Sequence, residues 1–255
     1  MTERVLLVGG GGREHAIAKA VTSSEAAVTL FACAGNRNPG IDRLAAEFRV
    51  LDPTDVGAVT AFAETIDATL AVIGPEAPLA AGVADALETT GIYTFGPSAD
   101  EARIETDKAW QRRFMRENDI TGTPEFEVFE GSEAAADYVL SYAGHVAVKP
   151  TGLTGGKGVR VTGDQLSKAE AQEYIRDSKY DSWVIEERLV GEEFTVQALV
   201  ANGVVRPTPA VQDHKRAFEG DEGPNTGGMG SYSDATATLP FMAESDYATA
   251  VDILE

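Results

Sequence analysis

The sequence predicts an α/β protein built in two parts. Over the first hundred or so residues, short apolar runs alternate with amphipathic stretches, the pattern of parallel strands joined by crossover helices. Each inferred strand end carries a turn rich in glycine or proline: "GGGGRE", "GNRNPG", "GPEAPL" and "GPSAD" in order. That edge of an open α/β sheet is where ligands sit. From about Ser98 the pattern changes to a smaller α/β unit, followed by longer strands and a second glycine-rich stretch.

The strands of the first part are read from "RVLLV", "VTLFA", "LAVIG" and "IYTFG", and its helices from Glu14 to Val21, Asp55 to Ile66 and Ala80 to Thr90. Asp52 followed by Pro53 reads as an N-cap and first helical position, and Gly91 as a C-terminal stop. Beyond Ser98, a helix carrying Lys108 and "WQRRFM" leads through a Gly/Pro linker to a strand at Glu127 to Phe129. A helix at Ser132 to Ala143, the strand "HVAVK", a glycine loop, the strand "GVRV", a helix at Gln165 to Ser178 and the strand "SWVIEE" follow. They make a unit of about sixty residues, the size of an insertion rather than an independent domain. Two long strands, "EEFTVQALV" and "VVRPTPAV", then pair across the turn "ANG", and "QDHKRAFEGDEGPNTGGMGSYS" reads as a glycine-rich loop. The chain closes on the amphipathic helical pattern "YATAVDILE".

Composition narrows the function. With 255 residues, 43% of them apolar, the chain can bury two small cores. No run approaches the roughly 20 apolar residues of a membrane span, and "MTERVLLVGG" has no signal-peptide layout, so a soluble cytoplasmic protein is expected. A formal net charge of −20 argues against nucleic acid, whose counterions only a basic face replaces. Acidic residues recur along the whole chain and lysine is scarcer than arginine, as expected where high salt screens self-repulsion, with a merely acidic mesophilic protein as the alternative. The single cysteine, Cys33, falls in a strand and reads as structural. The three histidines, His15, His145 and His214, lie too far apart in sequence for a Cys/His metal site.

Two glycine clusters carry the chemistry. In "KPTGLTGGKGVRV", from Lys149 to Val161, glycines let backbone N–H groups approach an oxygen-rich ligand and the lysines add mobile charge, which suits a phosphate chain. It is not a P-loop: Gly152 and Gly156 are one residue too close, and Gly158 stands where Ser or Thr is needed. A surface hairpin with turn glycines is the alternative. The first cluster, Gly10, Gly11 and Gly12, fails as a dinucleotide fingerprint, since its third glycine falls on Glu14 or His15 and no acidic residue closes the second strand. A glycine loop feeding a helix, with Arg13 in the first turn, still suits a single phosphate.

Downstream, "VIEERLVGEEF" sets Glu186, Leu189 and Glu193 in the spacing E-x-x-L-x-x-x-E, which resembles the adenosine-binding hinge of the ATP-grasp superfamily. With "GGGGREHA", "GPEAPL", "TDKAW", "VKPTGLTGGKGV" and "QDHKRAFEGDEGPNTGGMGSYS" in order, the whole chain resembles the phosphoribosylamine–glycine ligase family. The resemblance implies a Rossmann-like parallel-sheet domain over residues 1–103 and a partial ATP-grasp domain over 104–255, with a small α/β lid at about 125–188. It implies an ATP-dependent ligase of purine biosynthesis. Glycine's carboxylate takes the γ-phosphate, and 5-phosphoribosylamine displaces it from glycyl phosphate, a reaction that needs positioning and charge neutralisation rather than a nucleophilic side chain. A related ligase with another carboxylate and amine, or a nucleotide-binding part without catalysis, is the alternative.

Residue by residue, the resemblance assigns Lys108, Lys149, Gly155, Gly156, Lys157, Gly158, Glu186, Leu189 and Glu193 to ATP, with Gly155 to Gly158 as a closing lid. It assigns Gly10, Gly11, Gly12, Arg13, Glu76, Asp213, Lys215, Arg216, Asn225, Thr226, Gly227 and Gly228 to the substrates. Glu76 reads equally as a helix N-terminal carboxylate, and His15 and His214 as packed rings. Met229 reads as a packing residue. Pro150 and Thr151 depart from the Ala-Asp that often follows the strand lysine in the family. The family's metal ligands for Mg2+ or Mn2+ are expected beyond residue 255, so no metal residue is assigned and turnover by this chain is doubtful. Partners are expected to be glycine and 5-phosphoribosylamine, with no nucleic acid, no membrane and a monomeric state.

Overall fold

Val5 to Val8 are apolar on both faces, which only a strand covered on both sides can bury. The computed structural model places them in β1 (Glu3–Val8), the middle strand of a parallel sheet. It describes residues 2–152, 158–220 and 222–255, the side chains of Pro224 and Asn225 excepted. The chain divides into two units, residues 1–107 and 108–255.

The first unit runs β1, α1 (Gly12–Thr22), β2 (Val28–Ala34), α2 (Pro39–Asp42), β3 (Glu47–Val50), α3 (Val56–Thr65), β4 (Leu70–Ile73), α4 (Glu76–Ala80), α5 (Val83–Thr89), β5 (Tyr93–Phe95) and α6 (Arg103–Thr106). The strand order β3-β2-β1-β4-β5 reverses between β1 and β4, the crevice where α/β sheets take ligands. Leu6, Val8, Phe31 and Cys33 pack on one face with Val59 and Phe62 of α3 and Leu87 of α5. Val5, Leu7, Leu30 and Ala32 pack on the other with Ala18 of α1 and Ile41 of α2. Cys33 is wholly buried, and burial pushes its thiol up to about 12, so it is an inert core residue.

The structure corrects several local expectations. Asp55, not Asp52, caps α3 by accepting from the Ala58 amide at 3.0 Å; Asp52 closes a tight turn on Thr54 instead. The single helix expected over Ala80 to Thr90 is two, α4 and α5, divided at Gly82 with φ +85. Gly91, at φ +84, ends α5 as expected. The short β3 and α2 escaped sequence reading.

The second unit begins with α7 (Lys108–Glu117). Next come β6 (Phe126–Glu130), α8 (Ser132–Ser141), β7 (Val146–Pro150), β8 (Arg160–Val161), α9 (Lys168–Asp177) and β9 (Ser182–Glu187). The four strands pair antiparallel in the order β6-β9-β7-β8. Trp183, wholly buried between α8 and α9, centres the core of this sheet's outer face, with Val146, Val148 and Ile185. Ser167 caps α9 reciprocally with Glu170.

Two hairpins and a helix follow. β10 (Ala198–Ala201) and β11 (Val204–Pro207) are joined by Asn202-Gly203, both at positive φ, the turn that matches strand twist. Of the long strand expected from Glu192, only its last residues and a bridge at Thr195 to Val211 are extended pairs. The expected glycine-rich loop is itself a hairpin of β12 (Gln212–Phe218) and β13 (Glu222–Tyr232). The last element is α10 (Glu244–Leu254).

Candidate functional site

Alternation along β9 decides which side chains reach the cleft of the second unit. Trp183 and Ile185 turn toward α8 and α9, which leaves Val184 and Glu186 on the opposite face with Ala109 of α7 and Phe126. β7 pairs with β9 so that Lys149 lies opposite Val184 and Ala147 opposite Glu186, putting Lys149 and Glu186 on the same face.

Glu186 is 3% exposed, so its charge is held by partners rather than by water. Lys149 Nζ donates to Oε2 at 2.6 Å. Arg112 of α7 donates from Nε to Oε1 at 2.9 Å and from Nη2 to Oε2 at 3.2 Å. Burial pushes the Glu186 carboxyl up, but the charge of Lys149 and the bonds from Arg112 outweigh it and hold the group below the ordinary carboxylate range. Arg112 was not among the residues singled out from sequence. Its signal was indirect: an inward Glu in an apolar strand demands a cation, but nothing local says which one.

These three groups line a cleft of about 1060 Å3 that runs past Leu189 and Glu193 to Asp213 and Lys215. Leu189 is 67% exposed, an apolar side chain offered to the cleft. Glu193 pairs with Lys215 at 3.3 Å, and Lys215 lies 3.7 Å from Asp213. Arg216 donates to Asp164 at 2.6 Å and to the Gly223 carbonyl at 2.7 Å. Asp164, also missed from sequence, thereby ties the β8–α9 turn to β12.

Lys108, at the start of α7, donates from Nζ to the Gly152 carbonyl at 2.7 Å, and its backbone N–H to the Thr151 carbonyl. The first turn of α7 is thus fastened to the head of the glycine segment. Gly155, Gly156 and Lys157 lie outside the described residues. Gly158 is buried, and its carbonyl accepts from the Tyr174 hydroxyl at 2.8 Å.

On the β12–β13 hairpin, the pairing jumps from His214–Gly230 to Arg216–Asn225, which throws Thr226 to Met229 out as a bulge. Thr226 Oγ1 donates to the Lys215 carbonyl and accepts from the Gly228 amide, and Gly228 sits at φ +114. Met229 is 63% exposed, so it is not a packing residue. His214 stacks against Tyr232.

In the first unit, Gly10, Gly11 and Gly12 turn from β1 into α1 at the crevice, and Arg13 is 61% exposed on its side chain. The residue sequence reading passed over is Glu14. It is 3% exposed, accepts from the Gly11 amide at 2.6 Å and takes Arg13 Nε at 2.9 Å. A Cβ on Gly74 would lie 2.2 Å from Glu14 Oε1, and one on Gly9 would lie 2.7 Å from its Cγ, so both glycines make room for this carboxylate. The Gly11 amide is therefore already engaged within the chain. Glu76 stands half-buried in the first turn of α4, and His15 packs on Gly40.

A parallel-sheet unit with a crevice at its strand reversal, followed by an antiparallel-sheet unit with a lysine-lined cleft, defines an α/β protein of the ATP-grasp ligase fold. Residues 3–105 match the phosphoribosylglycinamide synthetase N domain and residues 106–255 the ATP-grasp (A) domain of the same synthetase. The chain belongs to the phosphoribosylglycinamide synthetase family. It is 53% identical to the phosphoribosylamine–glycine ligase of Methanopyrus kandleri, over 99% of this chain and 58% of that one. It thus spans 58% of the length of the curated relatives it matches. The crystal structure of phosphoribosylamine–glycine ligase from Thermotoga maritima superposes with a TM-score of 0.72 at 28% identity, covering 98% of this chain and 61% of that one. N5-carboxyaminoimidazole synthetase from Staphylococcus aureus, complexed with ADP, shares the fold at a TM-score of 0.67 and 14% identity, over 85% of this chain and 56% of that one.

Proposed function

We propose that this chain binds ATP in the cleft of residues 108–255 and serves a ligase that joins glycine to 5-phosphoribosylamine. The observation that carries this reading is the convergence of Lys149, Glu186, Leu189, Glu193 and Lys215 on one cleft, in a family whose relatives bear that ligase's name. Lys149 supplies charge to the phosphates, the exposed Leu189 meets the adenine edge, and Glu193 reaches the ribose hydroxyls once it leaves Lys215. Lys108 grips the phosphates together with Lys149, and the Gly155 to Gly158 turn, with Lys157, is the lid that keeps water from the acyl phosphate. Gly10 to Arg13 and Glu76 bind phosphoribosylamine. Asp213, Lys215, Arg216 and the Asn225 to Gly228 bulge stand at the reacting end.

The chemistry asks these residues for position and charge. The glycine carboxylate oxygen attacks the γ-phosphorus, ADP leaves, and the amine of phosphoribosylamine then adds to the glycyl carbonyl and expels phosphate. The described residues do not by themselves fit a divalent metal: no three acidic, His or Cys side chains converge among them, and Asp213 and Glu193 are both drawn to Lys215.

Calorimetry on the 255-residue chain tests the nucleotide site. Lys149→Met should weaken ATP binding by about 1.5 kcal/mol or more, the scale of a lost charge-assisted contact. Unchanged affinity overturns the reading. A coupled ADP-release assay tests the substrates: release that depends on another amine or carboxylate in place of phosphoribosylamine or glycine moves the chain to a neighbouring ligase.

A further inference from the structure

We propose that Arg112 is a positioning residue of the nucleotide cleft, one that spans both oxygens of Glu186 so that Lys149 can leave for a ligand phosphate without stranding a buried carboxylate. The inference rests on the reading of Lys149 as a nucleotide contact. Glu186 carries one negative charge and receives two cations, one more than it needs. The two cations hold it differently. Lys149 touches Oε2 alone, at 2.6 Å, from a flexible stem. Arg112 reaches Oε1 at 2.9 Å and Oε2 at 3.2 Å with one planar fork. Removal of Lys149 therefore leaves both oxygens still bonded.

The surroundings assign the roles in the same sense. The Arg112 side chain is the more buried of the two, 16% exposed against 23% for Lys149, and its Nη1 is further tied to Gln111 Oε1 at 2.9 Å within α7. Arg112 is fixed on a helix, whereas Lys149 stands on β7 beside the glycine segment whose far end carries Lys157. An ammonium that had to abandon a buried carboxylate as that carboxylate's only partner would give back most of what it gained on a phosphate. With Arg112 in place the exchange is from one anion to another, and Glu186 keeps a matched counter-charge throughout. Glu186 then serves to point Lys149 into the cleft before the nucleotide arrives.

The test is a set of ATP titrations on the 255-residue chain and its variants, with thermal unfolding measured alongside. Arg112→Gln should weaken ATP binding about tenfold or more, because Lys149 then remains the sole partner of Glu186. The double variant Arg112→Gln with Glu186→Gln should bind ATP at least about threefold more tightly than Arg112→Gln alone, since no buried carboxylate is left to hold Lys149 back. A merely structural Arg112 would not be rescued by a second change. An Arg112→Gln chain with undiminished affinity overturns the proposal. So does a double variant as weak as Arg112→Gln alone, which would make Arg112 a direct ligand or a packing residue. Lys149→Met separates the two layers: if it leaves ATP affinity unchanged, the nucleotide reading itself fails; if it weakens binding and Arg112→Gln does not, only the role of Arg112 fails.

Discussion

Glu186 shows what a single residue costs and contributes in this molecule. It is buried beside Lys149 and Arg112, and its carboxyl is held low in the folded chain by those cations despite the opposing push of burial. A lowered folded value means stability that is present above the unfolded carboxylate value of about 4.3 and lost as pH falls through the folded value. Glu186→Gln should therefore cost on the order of 3 kcal/mol at pH 7, where it leaves two cations facing each other without their anion. The difference from the original chain should be smaller at an acidic pH below about 4.3, where the carboxyl of the unfolded chain takes up a proton first. Urea unfolding at both pH values checks this, and a difference that is constant with pH would mean that packing, not charge, is what the residue supplies. Glu14 is the first unit's counterpart, a carboxylate so tightly seated that Gly9 and Gly74 leave no space for a Cβ.

At the scale of elements, the β10–β11 hairpin separates backbone conformation from packing. Gly203 sits at φ +73 and an added Cβ would meet nothing within 4 Å, so a substitution there acts through the backbone alone. Gly203→Ala should cost about 1 kcal/mol, the penalty of a side chain in the left-handed region. Amide exchange at Val200 and Val205, which pair across the hairpin, should then quicken about fivefold if opening is local. Unchanged exchange would show that the turn adjusts to a type that tolerates alanine. The β12–β13 hairpin teaches the opposite lesson. Its glycines argue against a strand, yet pairing from Gln212–Tyr232 to Phe218–Glu222 builds a hairpin around them, with Gly223 and Gly228 at positive φ where the register shifts and the surplus residues expelled at Thr226 to Met229.

Over the whole molecule, the formal charge of −20 is the dominant property. Among the described residues the surface ion pairs, such as Arg37–Asp42 and Arg49–Glu47, are isolated and exposed, and such pairs add little. Self-repulsion among the carboxylates destabilises the compact state at low ionic strength. The melting temperature should therefore rise between dilute buffer and molar KCl, where the screening length falls to about 3 Å. A flat or falling curve would mean that repulsion among carboxylates does not limit the stability of the folded chain.

The sequence by itself determined what depends on near neighbours and period. Parallel strands, the helix that starts at the Gly10 to Gly12 turn, the Asn202-Gly203 hairpin and the family motifs were all legible, because dihedral preference and apolar spacing act within a few residues. The pairing partners were not. Arg112 and Glu186 stand 74 positions apart, and Asp164 and Arg216 stand 52 apart, distances over which local pattern carries no information. Short pieces such as β3 and α2 failed for a related reason: four residues hold too little period to register, and they are made stable by the sheet and core they join. Sequence also named Lys149 and Glu186 as separate groups of a cleft. Only the tertiary structure decided that they are bonded to each other, because a buried carboxylate must take whatever cation the fold brings within reach.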